Sequence, residues 1–251
     1  SAGVGVDARN PTDYVVSLGF SGMGLPDRDY YLVDSESNLE IRAAYKDYLT
    51  FLLGQAGYQD PRAAAESVYA FERSVAEVEW ARQMFRLPQL TYNELTPAEL
   101  TAMAGDFPIA ALLEAGQFSD QTRFLASQIP PSAEEIEALG LTAEQQAMIG
   151  GGLPAMMQLM TETPLATIKA FMAAQFLSNN AAVLSSELDD ARFDFYGRTI
   201  GGQEACHRRS GRHAGRAAWR ALRRPVLPAR EQGAHGRAGG KPAARHVLCA
   251  R

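Results

Sequence analysis

The sequence predicts a mainly α-helical domain with a short β-hairpin near its N-terminus, followed by a basic tail that we expect to be disordered. Three observations lead to this fold class. Helix-start signals recur between residues 35 and 164, two short β-type segments precede them, and the composition changes abruptly after Gly202. We therefore divide the chain into a helical domain at residues 1–204 and a tail at residues 205–251.

Two segments near the N-terminus, Val4–Val6 and Tyr14–Phe20, have the apolar composition of β-strands. The residues Asn10–Asp13 between them are turn formers, so a hairpin is the simplest arrangement. It leads into the segment Gly22–Leu32, in which glycines allow a sharp turn, Pro26 restricts the backbone and two tyrosines add apolar surface. We expect this segment to form a stiff, anchored corner between the hairpin and the helices.

The rest of the domain carries repeated helix-start signals. Ser37 and Glu40 have the spacing of a capping box, and Asp60 precedes a proline at the first helical position. The segment Gln121–Ile129 fits neither a helix nor a strand clearly, and its structure stays open. Further helices are predicted to begin at Thr96, after Pro108, at Ser132, at Thr142 and after Thr163-Pro164.

The helix predicted after Thr163-Pro164 is long and carries large apolar side chains at helical spacing. These side chains share one face, and they are Leu165, Ile168, Met172, Phe176 and Val183. A last helix is predicted from about Glu187 to Tyr196, and it ends near Gly201. A helical body of this size can bury a sizeable core.

The net charge of −5 hides two regions of opposite sign. Residues 1–204 hold 12 basic and 28 acidic residues, whereas residues 205–251 hold 12 basic residues and 1 acidic residue. All four histidines and both cysteines lie in the tail. This distribution excludes Ser-His-Asp, Cys-His and histidine-ligated zinc chemistry from the helical domain, and two distant cysteines give no disulfide framework. No apolar run approaches the roughly 20 residues of a membrane span.

Candidate functional groups in the tail have simpler explanations. The residues Cys206, His207, His213 and Cys249 match no standard metal-ligand spacing, so we interpret them as scattered side chains. Trp219 is the only aromatic residue of the tail, and no nucleic-acid-binding motif accompanies it. We therefore expect incidental binding of polyanions rather than recognition of a specific nucleic acid.

Candidate groups in the helical domain are also explained without catalysis. Two pairs of acids are candidates for acid–base catalysis: Glu77 with Glu79, and Asp189 with Asp190. Their spacings do not place both carboxylates on one helix face, so we interpret them as solvated surface residues. Gly150–Gly152 lacks the Lys-Ser/Thr continuation of a phosphate loop and is interpreted as a linker. Three methionines are interpreted as core filler: Met156, Met157 and Met160. We assign no catalytic, cofactor-binding or metal-ligating residue in this chain.

Three segments resemble the neprilysin family of zinc metallopeptidases. The corner GMGLPDRDYYL at residues 22–32 is similar to the family's GLGLPDRDYYL, and a mixed motif of this length is specific. The segment RQMFRLPQLTYNELTPAEL at residues 82–100 resembles a family stretch, with Gln83 standing where the family usually has Asp. A third similarity covers TPLATIKAFMAAQFLSNNAAVLSSELDDARFDFYGRTIGG at residues 163–202. The resemblance covers about residues 1–204, part of the family's N-terminal helical domain.

The resemblance implies a function for the intact family enzyme that this chain does not carry by itself. Family members use zinc to cleave oligopeptides at the amino side of apolar residues, with an H-E-x-x-H motif that holds the metal and activates water. No His-Glu pair occurs in this chain, so we expect it to be inactive alone and to hold no cofactor.

The resemblance also implies a partner and a compartment. The partner is the catalytic domain of the same polypeptide, which packs against the helical domain and encloses a cavity for oligopeptides. Without that domain, apolar surface would be exposed and solubility would be poor. The resemblance suggests a periplasmic, cell-surface or secreted location.

The tail has the composition of a translated wrong reading frame. Its 47 residues include 11 Arg, 11 Ala, 6 Gly and 3 Pro, which have GC-rich codons, and no apolar periodicity persists. Codons can be chosen for Pro228–Arg251 so that reading one base later gives an amphipathic sequence, RRENKAHMDELVENLRRAMSYAR. We therefore hypothesise a one-base frameshift just before Cys206. The alternative hypothesis is that the chain is a stand-alone helical interaction module with a polyanion-binding tail.

Overall fold

The computed structural model describes residues 2–19 and 21–203. The chain divides into two compact units, residues 1–195 and residues 196–251. The first unit contains every site discussed below. The predictions for the tail, including its disorder, its basic surface and its cysteines and histidines, fall outside the described residues.

Helices dominate the described part of the chain, as predicted. The α-helices are α1 Asp29–Leu32, α2 Glu36–Gln55, α3 Pro61–Val78, α4 Pro88–Thr91, α5 Pro97–Ala104, α6 Ile109–Ala115, α7 Ala133–Leu139, α8 Ala143–Ala147, α9 Gly152–Glu162, α10 Leu165–Leu184 and α11 Ser186–Arg192. A 3₁₀-helix spans Arg82–Arg86, and a π-helix spans Phe193–Ile200.

Most helix starts follow the predicted side-chain caps. Thr96, Ser132 and Thr142 each form a capping box, and Asp60 caps α3 ahead of its proline. The predicted cap at Ser37 is wrong. Helix α2 begins two residues earlier, because Ser35 has the extended backbone of an N-cap and its hydroxyl accepts the Asn38 N–H.

The predicted hairpin is part of a four-stranded sheet. Its strands are β1 Ala2–Val6, β2 Tyr14–Leu18, β3 Asn93–Leu95 and β4 Phe124–Ala126, arranged in the order β1-β2-β4-β3. Strands β1 and β2 are antiparallel, β2 and β4 are parallel, and β3 and β4 are antiparallel. The segment left open at residues 121–129 therefore supplies a strand, and β3 was not predicted at all.

The core lies between the sheet and a group of packed helices. Helix α3 packs against α2, α9 and α10, and α10 also packs against α2. One buried cluster joins the sheet to α3, α5 and α9 through Val16, Phe124, Phe71, Leu100 and Met156. A second, smaller cluster surrounds Trp80.

The fully buried residues of helix α10 are small, and the larger Ile168 and Phe171 pack against the core while partly exposed. The buried residues are Ala170, Ala174, Ser178 and Ala181. Of the five large apolar residues predicted to share a face, Ile168 packs against the core cluster. The other four are exposed by 66% at Leu165, 64% at Met172, 60% at Phe176 and 82% at Val183. We call these four residues the α10 stripe.

Within residues 2–19 and 21–203, no helix is long and apolar enough to cross a membrane.

Candidate functional site

The corner at residues 22–32 is held by one buried tyrosine. The Tyr31 hydroxyl accepts backbone N–H groups from Gly24 at 3.1 Å and Leu25 at 2.9 Å. It donates to Glu72 Oε2 at 2.8 Å. A single side chain therefore fixes the turn and ties it to α3, which explains why the segment needs a tyrosine at this position.

Glu72 is the centre of a buried polar network. It is fully buried, and its second oxygen accepts a hydrogen bond from the Tyr45 hydroxyl at 2.9 Å. Burial raises the pKa of Glu72 to about 7, although the hydrogen bonds from Tyr45 and Tyr31 act in the opposite direction. Since the carboxyl group has no exposed surface, it holds the fold together and cannot reach a substrate.

Gly24 is required by the same network. A Cβ atom built on Gly24 would lie 1.9 Å from the Tyr45 hydroxyl oxygen. Any side chain at this position would displace the tyrosine that holds Glu72. The glycine therefore serves close packing of the corner.

Sequence reasoning missed Glu72, although a signal was present. The residue lies four positions after Val68 and three before Val75, and both valines are fully buried. Residues at these spacings share one helix face. An acid on the apolar face of α3 was therefore the available sign of a buried carboxyl group.

A second buried acid lies at the end of β1. Asp7 is 1% exposed and accepts hydrogen bonds from the Arg9 backbone N–H at 2.9 Å, Arg123 at 2.6 Å and Tyr92 at 3.0 Å. The Arg9 amide, and then the Arg123 guanidinium, lower the pKa of Asp7 to about 2. Asp7 is therefore a charged anchor that joins the hairpin to the segments before β3 and β4.

The acid pairs have separate surroundings. Glu77 forms an exposed ion pair with Arg73 at 3.5 Å. Burial raises the pKa of Glu79 to about 7, and the nearby Asp27 adds to this effect. Asp189 and Asp190 lie on the short helix α11, with Asp189 in its first turn. Among the described residues, neither pair belongs to a cluster that could hold a metal ion.

The glycine run at residues 150–152 connects α8 to α9, but it is a tightly packed connection. A Cβ atom on Gly150 would lie 2.4 Å from the Val78 carbonyl oxygen, and one on Gly152 would lie 1.9 Å from the Gln128 carbonyl oxygen. Gly152 also has φ of 61°. The run therefore links the two helices, as interpreted, and it is tightly packed because the backbone itself fills the space beside α3.

The three methionines belong to the core. Met156 and Met157 are buried in the cluster that joins the sheet to α3, α5 and α9, and Met160 packs against it. Together with Phe71 and Leu153 they line an apolar cavity of about 140 Å³. Their interpretation as core filler is confirmed.

The described residues do not fit a zinc site. No group of three or more His, Cys, Asp or Glu side chains in residues 2–19 and 21–203 could hold a metal ion. The histidines and cysteines of the chain all lie at position 206 or later, and the H-E-x-x-H sequence is absent.

The family comparison matches most of the chain. The family model described as peptidase family M13 matches residues 1–218. This match runs past the boundary that we predict at residue 204.

Curated relatives match a shorter part. Endothelin-converting enzyme 1 from Bos taurus is 32% identical over 104 residues, which is 40% of this chain and 14% of the relative. Endothelin-converting enzyme-like 1 from Rattus norvegicus is 28% identical over 99 residues, which is 39% of this chain and 13% of the relative. The chain therefore spans only a small part of these relatives.

Solved structures share the fold over most of the described chain. The zinc metalloprotease ZMP1 of Mycobacterium tuberculosis in its open state matches with a TM-score of 0.66 and 22% identity, covering 81% of this chain and 29% of that chain. PEPO from Lactobacillus rhamnosis matches with a TM-score of 0.59 and 20% identity, covering 81% and 29%. At these identities the likeness establishes the fold.

Proposed function

This chain belongs to peptidase family M13, as its three resembling segments predict, and we propose that it is the non-catalytic N-terminal helical part of a zinc metalloendopeptidase. The observation that carries the proposal is the family match over residues 1–218. In the intact enzyme this part would form one wall of the cavity that admits oligopeptides. The zinc and the residues that activate water would come from a catalytic domain that this chain does not include.

The α10 stripe supports an interdomain role. Leu165, Met172, Phe176 and Val183 are each at least 60% exposed on one face of a single helix. The opposite face of the same helix is buried through small residues. An exposed line of large apolar side chains is typical of a surface that is built to be covered. We assign it to contact with the remainder of the polypeptide.

The proposed substrates and location follow from family membership. The intact enzyme would cleave oligopeptides at the amino side of apolar residues, and it would act in the periplasm, at the cell surface or after secretion. We also propose that a one-base frameshift before Cys206 separates this chain from its catalytic domain. The Arg- and Ala-rich composition of residues 205–251 supports that part of the proposal.

A zinc and cleavage assay tests the proposal at the protein level. The purified 251-residue chain is incubated with zinc and a quenched fluorescent oligopeptide that contains apolar residues, with and without a chelator. We expect no chelator-sensitive cleavage and less than one tightly bound zinc per chain. Chelator-sensitive cleavage by this chain alone would contradict the proposal.

A matched control separates zinc that is bound by scattered histidines from a built site. The variant carries His207→Ala and His213→Ala, which remove two potential ligands of the tail. Equal, weak zinc binding by both proteins agrees with the proposal. A stoichiometric site that the two substitutions abolish would show metal chemistry that the proposal does not include.

A further inference from the structure

The α10 stripe is symmetric about its own midpoint. Ala174 lies nine residues from both Leu165 and Val183, and two residues from both Met172 and Phe176. Lys169 and Asn179 lie five residues from Ala174 on either side. Reversing the direction of the helix therefore exchanges one apolar position for another along the whole stripe.

Helix geometry places these positions along one line. With about 100° of rotation per residue, the four apolar residues, Lys169 and Asn179 lie within about 40° of a common line along the helix. The distance from Leu165 to Val183 is about 27 Å at a rise of about 1.5 Å per residue. The intervals of seven, four and seven residues are those of a helix–helix seam.

We propose that the α10 stripe is the interface of a homodimer, in which two α10 helices pack antiparallel with the two-fold axis at the level of Ala174. In this arrangement Leu165 lies against the second copy's Val183, and Met172 lies against the second copy's Phe176. Each apolar position therefore meets an apolar position. Lys169 lies beside the second copy's Asn179, whose amide oxygen can accept its N–H.

The charge pattern of α10 permits this pairing and selects its direction. Lys169 is the only charged residue of Leu165–Leu184. In the antiparallel pair the two lysines are about 15 Å apart along the axis, beyond the screening length of about 8 Å at physiological salt. A parallel pair would place them side by side, where like charges repel. The antiparallel direction is therefore favoured over the parallel one for a pair of α10 helices.

The homodimer rests on the proposed function in one respect. Residues 2–19 and 21–203 leave the stripe uncovered, and a second copy would take the place that the proposed function gives to the catalytic domain. A helix face of this size is smaller than a standard interface, so we expect a dissociation constant on the order of 10 µM.

The solution mass tests the proposal. Sedimentation equilibrium of the full chain at 0.15 M salt should show a rise from 27.2 kDa toward twice that mass as the concentration passes through the dissociation constant. Phe176→Glu should weaken dimerisation by at least about thirtyfold, because it places a carboxylate against the second copy's Met172. The matched control is Leu39→Glu, at a residue that is 53% exposed on α2, and it should leave the dimer unchanged.

Cross-linking tests the direction of pairing. In a background with Cys206→Ser and Cys249→Ser, Leu165→Cys and Val183→Cys variants are mixed under mild oxidation. The mixture should form cross-linked dimers much faster than either variant alone, because only unlike positions meet in the antiparallel pair. The proposal is overturned by a monomer at all concentrations, by open-ended aggregation, by a dimer that Phe176→Glu leaves intact, or by equal cross-linking of the single variants.

The two proposals fail in different experiments. A monomeric chain without zinc-dependent cleavage would remove the homodimer and leave the proposed function standing. A chain that cleaves peptides by itself would remove the proposed function, whatever its mass.

Discussion

The corner at residues 22–32 and the α10 stripe differ in the exposure of their large side chains. In the corner, Tyr31 is fully buried, and its hydroxyl accepts hydrogen bonds from the backbone N–H groups of Gly24 and Leu25 and donates one to Glu72. On α10, Phe176 is 60% exposed. The corner is completed by elements of the chain itself, whereas the described residues leave the stripe uncovered. The difference separates what this chain stabilises alone from what it presents to another surface.

The largest expected effect comes from breaking the corner at Glu72. Glu72→Ala leaves the hydroxyl groups of Tyr31 and Tyr45 without their buried acceptor and opens a cavity. We expect the free energy of unfolding to fall by about 3 kcal/mol in urea denaturation. Glu66 lies on the same helix as Glu72, and Glu66→Ala, which removes an ion pair with Lys46 of α2 near the surface, should cost less than about 1 kcal/mol. Equal costs would contradict a central role for Glu72.

The second-largest expected effect is a pH dependence of the free energy of unfolding, and it comes from Glu72 as well. The pKa of Glu72 rises from 4.5 to about 7 on folding, so the folded state holds its proton more tightly. The stabilisation is present below the unfolded pKa and is lost as the pH rises through 7. Between pH 5 and 8 the loss should be about 2 kcal/mol.

Glu72→Gln isolates this contribution. The variant carries no titrating group at position 72, while Glu79, whose pKa is also raised to about 7, titrates in both proteins. The free energy of unfolding of the unmodified protein, relative to that of Glu72→Gln, should therefore fall as the pH rises from 5 to 8. A constant difference from pH 5 to 8 would show that Glu72 does not titrate in this range.

A smaller effect is expected at Gly24. Gly24→Ala places a methyl group where the Tyr45 hydroxyl lies and should cost about 1.5 kcal/mol. Gly5→Ala is the control, because a Cβ atom at Gly5 has no neighbour within 4 Å. Thermal unfolding of both variants checks this prediction. A Gly24→Ala protein as stable as Gly5→Ala would mean that the corner can shift to make room.

The smallest effect on stability is expected on the stripe. The double substitution Met172→Gln with Phe176→Gln should change the free energy of unfolding by less than about 0.5 kcal/mol, because both side chains are mostly exposed. Ala174→Gln, on the buried face of the same helix, should cost at least about 2 kcal/mol. If the double substitution lowered the free energy of unfolding strongly, the stripe would have to make stabilising contacts with other parts of this chain.

Local signals in the sequence were sufficient for most helices. Thr96, Ser132 and Thr142 define their helix starts within a few residues, so a cap can be predicted without knowing the fold. Strands β3 and β4 have three residues each and gain their pairing from distant segments. A window of a few residues contains no sign of such partners.

The candidate site was predictable only in part. Of the five residues predicted to share a face of α10, Leu165, Met172, Phe176 and Val183 lie on one exposed face, whereas Ile168 packs against the core. Periodicity does not reveal whether a face is covered, because core and interface positions have the same pattern. In the same way, the sequence contains Glu72 and its tyrosines, but only the packing of α2 and α3 brings the three side chains together.

The most direct test is to resequence the gene from the codon for Gly201 through the length that a full M13 peptidase would need. We predict a corrected frame that continues as an amphipathic helix and later encodes an H-E-x-x-H motif. An alternative frame that is interrupted, or that encodes an unrelated sequence, would contradict the claim that this chain is the N-terminal part of a zinc peptidase.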